Sequence, residues 1–266
     1  MASPNSPTTL RRNLSHACKK GDAQTVRAVL EQLDANSHVD NHAAFINALQ
    51  HKHLECAALV FPVCVTDKAF TAKALHVAIE INNPAWVQQL LDACANPCID
   101  PLLALACDAS AQIVGQLLPY ADASYNNCVA MARAVTINSS ACVRVLLPLL
   151  PIEQYDRMLD KAAKHCHSVL IPLFLPHATT YGRARALARA CQNNDAEIFD
   201  MLYPVTQIDK AIEVMDQWDT KHHVAYSDRQ LLSTRLQHEQ EKQKLDKSVA
   251  SLVRQKDSEP TLKRKM

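Results

Sequence analysis

Lys73–Leu91, KALHVAIEINNPAWVQQLL, reads as two short apolar helices back to back. The first closes near Ala78, Asn82-Asn83-Pro84 breaks the chain, and a second apolar run ends at Leu90-Leu91. The same gapped pattern recurs at Ala17–Leu30, Ala48–Phe61, Ala106–Leu118, Ala134–Leu147, Ala163–Leu175 and Ala190–Leu202. Its anchor alanines stand 31, 30, 28, 28, 29 and 27 residues apart. A near-constant period of this size is expected of stacked two-helix units, each too small to bury its apolar face alone.

A second periodic mark supports the unit boundaries. Pro62, Pro119, Pro148, Pro176 and Pro204 each follow a closing apolar residue, the last four 29, 28 and 28 apart. Proline cannot continue a helix interior, so it should stop the second helix of each unit at one phase. The expected divisions are a disordered tail over 1–13, repeats over 14–218, a capping and extension helix over 219–256, and a basic tail over 257–266. The extension helix is expected to open at Ser227-Asp228 and to carry two apolar clusters: Leu231, Leu232 and Leu236, then Leu245, Val249, Leu252 and Val253. Nine residues between the clusters turn them about half a revolution apart, so the first should cap the repeats and the second meet another surface.

With three glycines and 48% apolar residues, the chain lacks the glycine-rich turns and loops of β-sandwiches and nucleotide-binding folds. Ten cysteines, several directly after an anchor alanine, suit a small-residue seam and a reducing compartment, so a cytoplasmic setting is expected, in its own cell or a host cell. The net charge of +1 is unevenly placed: +4 over residues 1–30, +5 over 221–266 and −8 between. An acidic body argues against gripping a phosphate backbone and favours a partner protein with a basic segment; neither nucleic acid nor a membrane is expected as a partner. No phosphate loop, serine elbow or zinc-protease motif occurs. Lys164-His165-Cys166-His167 reads as a polar turn rather than a metal site, and no metal or cofactor is expected.

Two places resemble the ankyrin repeat: ALHVA at Ala74–Ala78, where Leu75, His76 and Ala78 fit the first-helix motif, and GDAQTVRAVL from Gly21, where Val26, Val29 and Leu30 fit the second helix. Periods shorter than 33 residues and the missing Thr-Pro helix starts depart from that family. The resemblance implies an all-α, right-handed ankyrin-like solenoid of about seven units with a long C-terminal helix, and it implies that His76 hydrogen-bonds backbone between repeats. It also implies protein binding without catalysis, as an adaptor, inhibitor or effector. Two rival readings are an enzyme or zinc protein hidden in the repeats, and a scaffold that self-associates through residues 241–256.

Phe70, Tyr125, Tyr155 and Tyr181 lie eight or nine residues before their anchors, at the start of each unit. They are expected either to staple helices or, beside Asp67, Asp122, Glu153 and Asp156, to form a partner-binding edge of rings and carboxylates.

Overall fold

The computed structural model describes residues 7–33, 41–64, 68–94 and 99–222, with side chains as far as Trp218, and short helical stretches between 234 and 251. Among the described residues every regular element is helical and there is no strand. The chain divides into two compact units, Met1–Pro151 and Ile152–Met266.

In the first unit the leading helices α1 (Pro7–Lys20), α3 (His42–Gln50), α5 (Lys68–Glu80), α7 (Asp100–Ala109) and α9 (Tyr125–Thr136) pack successively on one another. The trailing helices α2 (Ala23–Gln32), α4 (Leu54–Val60), α6 (Pro84–Ala93), α8 (Ala111–Leu117) and α10 (Ser140–Leu146) form a second layer, each against its leading helix. In the second unit the pairs are α11 (Tyr155–Lys164) with α12 (Ile171–Phe174), and α13 (Thr180–Gln192) with α14 (Ala196–Leu202). There α15 (Ile208–His222) packs on α13. The helical repeat read from the period is therefore present. Two boundaries move: α1 begins at Pro7, inside the expected tail, with Leu10 and Leu14 buried, and α15 runs on past residue 218.

The turn inside each pair explains the alanine anchors. The N–H of the residue that opens the trailing helix donates to the anchor carbonyl, as in Asp22 to Ala17 (3.1 Å), His53 to Ala48 (2.8 Å), Asn83 to Ala78 (3.0 Å), Ser139 to Ala134 (2.9 Å) and Asp195 to Ala190 (2.9 Å). The residue just before it takes a left-handed conformation: Gly21, Lys52, Asn82, Asn138 and Asn194 have φ between 52° and 76°. This is the six-residue closure that satisfies orphan carbonyls at a helix C-terminus, and Gly and Asn suit it because their left-handed penalty is small. In the sixth repeat the bond runs from His167 to Ala162, with Cys166 at φ 58°. The true anchor there is Ala162, one residue before the expected Ala163. With that register the anchors 134, 162 and 190 are evenly spaced. The fourth turn is one residue shorter: Ser110 bonds Ala106 directly and no left-handed residue intervenes.

Five trailing helices carry a side-chain cap: Asp22, Asn83, Ser110, Ser139 and Asp195 each accept from the N–H three residues on. Each such cap contributes about 1 kcal/mol. The core of the first unit includes an aromatic cluster in which Phe45, fully buried, meets Phe61 at 5.3 Å, Phe70 at 5.6 Å and Trp86 at 5.1 Å. Cys18, Cys56, Cys94, Cys107, Cys128, Cys142 and Cys191 are buried as small apolar groups, whereas Cys166 is exposed; burial pushes the Cys18, Cys64 and Cys107 thiols up to about 12, so these three stay protonated and unreactive at neutral pH.

His76 corrects what the resemblance implied. Its ring faces solvent, half exposed, with Nδ1 3.5 Å from Glu80 Oε2 on the same helix, and not on a neighbouring repeat's backbone. The expected N-cap at Ser227-Asp228, the cluster Leu231, Leu232 and Leu236, and residues 252–266 lie outside the described residues. Residues 244–251 are helical, with Leu245 and Val249 exposed. No described helix is long and apolar enough to cross a membrane.

Candidate functional site

Each proline mark forms a compact 3-10 turn rather than a bare stop. Phe61–Val63, Leu118–Tyr120, Leu147–Leu149, Leu175–His177 and Tyr203–Val205 all place proline second, where its missing N–H leaves no helical bond unmade. In four of these five turns the residue after the proline is exposed, whereas Val63 is half-buried. Tyr120 and Leu149 in the first unit, and His177 and Val205 in the second, are exposed at that position. They recur at the proline period. The loops that follow add Tyr125 in the first unit and Ile152 and Tyr181 in the second, with Ile152 71% exposed.

This changes the expected row of aromatics. Phe70 and Tyr155 are 3% and 8% exposed, whereas Tyr125 and Tyr181 are 40% and 49% exposed. Phe70 stacks on His42 at 4.0 Å and meets Phe45; Tyr155 packs against Phe174 and His177. These two are staples and cannot serve as accessible anchors. Tyr125 escapes burial because Asn126, Asn127 and Cys128 after it form a left-handed turn (φ 47°, 58° and 56°), so the regular part of α9 starts only beyond them. Asparagine tolerates that region better than most residues; Cys128 has no such excuse and carries strain of about 1–2 kcal/mol.

The acids are also redistributed. Asp156 accepts from the Thr179 N–H (2.7 Å) and from the Thr179 hydroxyl, which in turn accepts from the Gly182 N–H at 3.1 Å. Asp122 accepts from the N–H and hydroxyl of Ser124 at 2.8 and 2.7 Å, which hold its carboxyl below the usual range. Those two carboxylates are committed to their own backbone, Glu153 is exposed, and Asp67 lies outside the described residues. Of the expected edge, Tyr125 in the first unit and Tyr181 and Glu153 in the second stand in solvent, whereas Phe70 and Tyr155 are buried.

Asp156 is one of a repeated set that sequence reading missed. A polar side chain near the start of a leading helix reaches the loop 22 or 23 residues on: Asn41 donates to the Val63 carbonyl (3.3 Å), Asp100 accepts from the Asp122 N–H (2.8 Å), and Arg183 donates to the Val205 carbonyl (3.3 Å). The residue types differ, but the separation of nearly one repeat is constant, and that was the available signal. Within each unit these ties hold the 3-10 turns and the loops after them in place.

Comparison with known proteins finds no matching family model and no matching curated protein.

Lys164–His167 is the expected polar turn, with His165 closing α11 and His167 opening the next helix. Among the described residues no group of three or more His, Cys, Asp or Glu is placed to hold a metal ion. Partial desolvation, then Lys161, His167 and Lys164, lower the His165 pKa. The unfolded chain therefore takes up that proton more readily, and stability should fall as pH drops through the ordinary histidine range near about 6.5. His165→Gln should flatten the decline in melting temperature between about pH 7.5 and 5.5; an unchanged slope would show that other groups dominate.

Proposed function

We propose that this chain is an ankyrin-like helical-repeat module that binds another protein through the exposed 3-10 turns of its repeats, without catalysis. One observation carries the reading: a large apolar or aromatic side chain stands in solvent directly after the proline in the fourth, fifth and seventh repeats, as Tyr120, Leu149 and Val205. Exposed apolar groups gathered on one feature mark interaction surfaces, and Tyr is among the favoured anchors. Antiparallel helix pairs closed by left-handed turns support the ankyrin likeness. Because Asp122 and Asp156 are engaged internally, the affinity at these turns comes mainly from apolar contact, and Glu153, exposed in the second unit, offers a carboxylate to a basic segment of the partner.

A photo-crosslinking residue at Tyr120 or Val205 should yield a discrete protein adduct in cells, while one at Gln24, exposed on α2, should not. Against the protein so identified, Tyr120→Ala with Leu149→Ala should weaken binding about tenfold or more, since both act as anchors at these turns, with little change in melting temperature. Equal adducts from all positions, or unaltered affinity in the double variant, would remove these turns as the binding site.

A further inference from the structure

The leading helices of the second unit carry charge of the opposite sign to the acidic body read from the sequence. Helix α11, YDRMLDKAAK, has a balance of +1, and α13, TYGRARALARACQ, of +3. Asp156 and Asp160 share α11 with these bases, and further acids lie on α14 and its cap (Asp195, Glu197, Asp200) and on α15 (Asp209, Glu213, Asp216). On α11, Arg157, Lys161 and Lys164 follow one another at helical spacing along one stripe; on α13, Arg185 and Arg189 do the same.

Asp160 binds the two stripes together. Its carboxylate, 13% exposed, accepts from Arg185 at 2.8 Å and from Arg189 at 3.4 Å. Arg189 is further fixed by Gln192 Oε1 (2.8 Å) and by the Trp218 ring, which its guanidinium covers at 4.1 Å. The face is therefore preorganised: two arginines are held by one acid, so their combined charge is only half neutralised. Lys161 and Lys164 make no ion pair with a described residue and leave two more positive charges beside them. The same field is felt by His165, whose protonation Lys161 and Lys164 oppose after partial desolvation.

We propose that this α11–α13 face is a second docking site, which recognises an acidic segment of a partner protein. The proposal rests on the reading of the chain as a protein-binding repeat, and charge complementarity selects the partner's chemistry. Arg185 Nε is buried and Arg189 Nε and Nη1 are engaged, so the remaining guanidinium N–H groups are what a carboxylate would meet, in charge-assisted hydrogen bonds. Trp218 beneath Arg189 adds an aromatic surface for an apolar residue within the acidic run. A nucleic acid fits less well, because it would extend past these few helical turns toward the acids of α14.

The test uses the full chain and three fluorescein-labelled probes: a Glu/Asp-rich peptide, its Gln/Asn isostere, and a single-stranded oligonucleotide of equal charge, followed by anisotropy. The acidic peptide should bind at least about fivefold tighter than the isostere and weaken as salt rises. Lys161→Gln with Lys164→Gln should reduce that binding about fivefold or more at unchanged melting temperature, since neither lysine supports the fold through an ion pair. Arg185→Gln with Arg189→Gln should abolish it; if that variant fails to fold, the lysine variant decides. No preference over the isostere, or an unaffected lysine variant, overturns the proposal. Oligonucleotide binding as tight as that of the acidic peptide overturns it in favour of nucleic acid. Loss of peptide binding alongside intact crosslinks at the 3-10 turns would sink this site and leave the protein-binding module standing; the reverse pattern would sink the turns.

Discussion

Replacing Gly182 with alanine is expected to destabilise the second unit by about 3 kcal/mol, although Gly182 lies inside helix α13. Helix propensity alone predicts the opposite, a gain of about 1 kcal/mol. The deciding fact is what a Cβ would meet: the Asp156 side chain lies directly over Gly182, with its carboxylate and its Cβ both in the way. Asp156 cannot simply swing aside, because it is tied to the Thr179 N–H and hydroxyl, and the Thr179 hydroxyl in turn caps the Gly182 N–H. Accommodating one methyl group therefore breaks bonds to a charged acceptor as well as overpacking the contact. Unfolding followed through Trp218 in a Trp86→Phe background reads this unit. The cost should shrink in an Asp156→Ala background, because the two sites share one contact. A control comes from the other helical glycine, Gly115 in α8, whose added Cβ would meet nothing within 4 Å. Gly115→Ala should stabilise by about 0.5–1 kcal/mol. If both glycine variants raise stability alike, the Asp156–Thr179–Gly182 clamp has no energetic weight.

Phe45→Ala should cost the first unit about 4 kcal/mol, near the upper end for truncating a buried aromatic. Phe45 is fully enclosed and touches three other rings, from α4's closing turn, α5 and α6. Phe61 and Trp86 are themselves in edge contact at 5.4 Å, so the surrounding rings brace one another and collapse poorly into the void. Trp86 fluorescence in a Trp218→Phe background should report the loss directly. A change below about 1.5 kcal/mol would mean that the cluster repacks around the cavity and that its rings are not mutually braced.

The proline stops were legible because they rest on a local rule; the trailing-helix caps rest on one too, but they were not read from the sequence. Asp22, Asn83, Ser110, Ser139 and Asp195 cap whatever helix follows them, and a proline sets its own φ wherever it stands. The anchor in the sixth repeat was misplaced by one residue because Ala162 and Ala163 are chemically identical neighbours, and only the His167 to Ala162 hydrogen bond distinguishes them.

Sequence by itself therefore determined the all-helical class, the repeat length, the helix pairs and where their turns fall, since these follow from short-range periodicity and capping. Only tertiary structure decided which side chains of each repeat stand in solvent. Phe70, Tyr125, Tyr155 and Tyr181 share a phase in the chain, but two of them are enclosed by residues of other helices, and a left-handed turn lifts Tyr125 out of its helix. Glycines 115 and 182 likewise both lie within helices, yet one faces open space and the other an aspartate 26 residues earlier in the chain. Burial and sign of charge at a surface are set by contacts between residues far apart in sequence, and no local pattern encodes them.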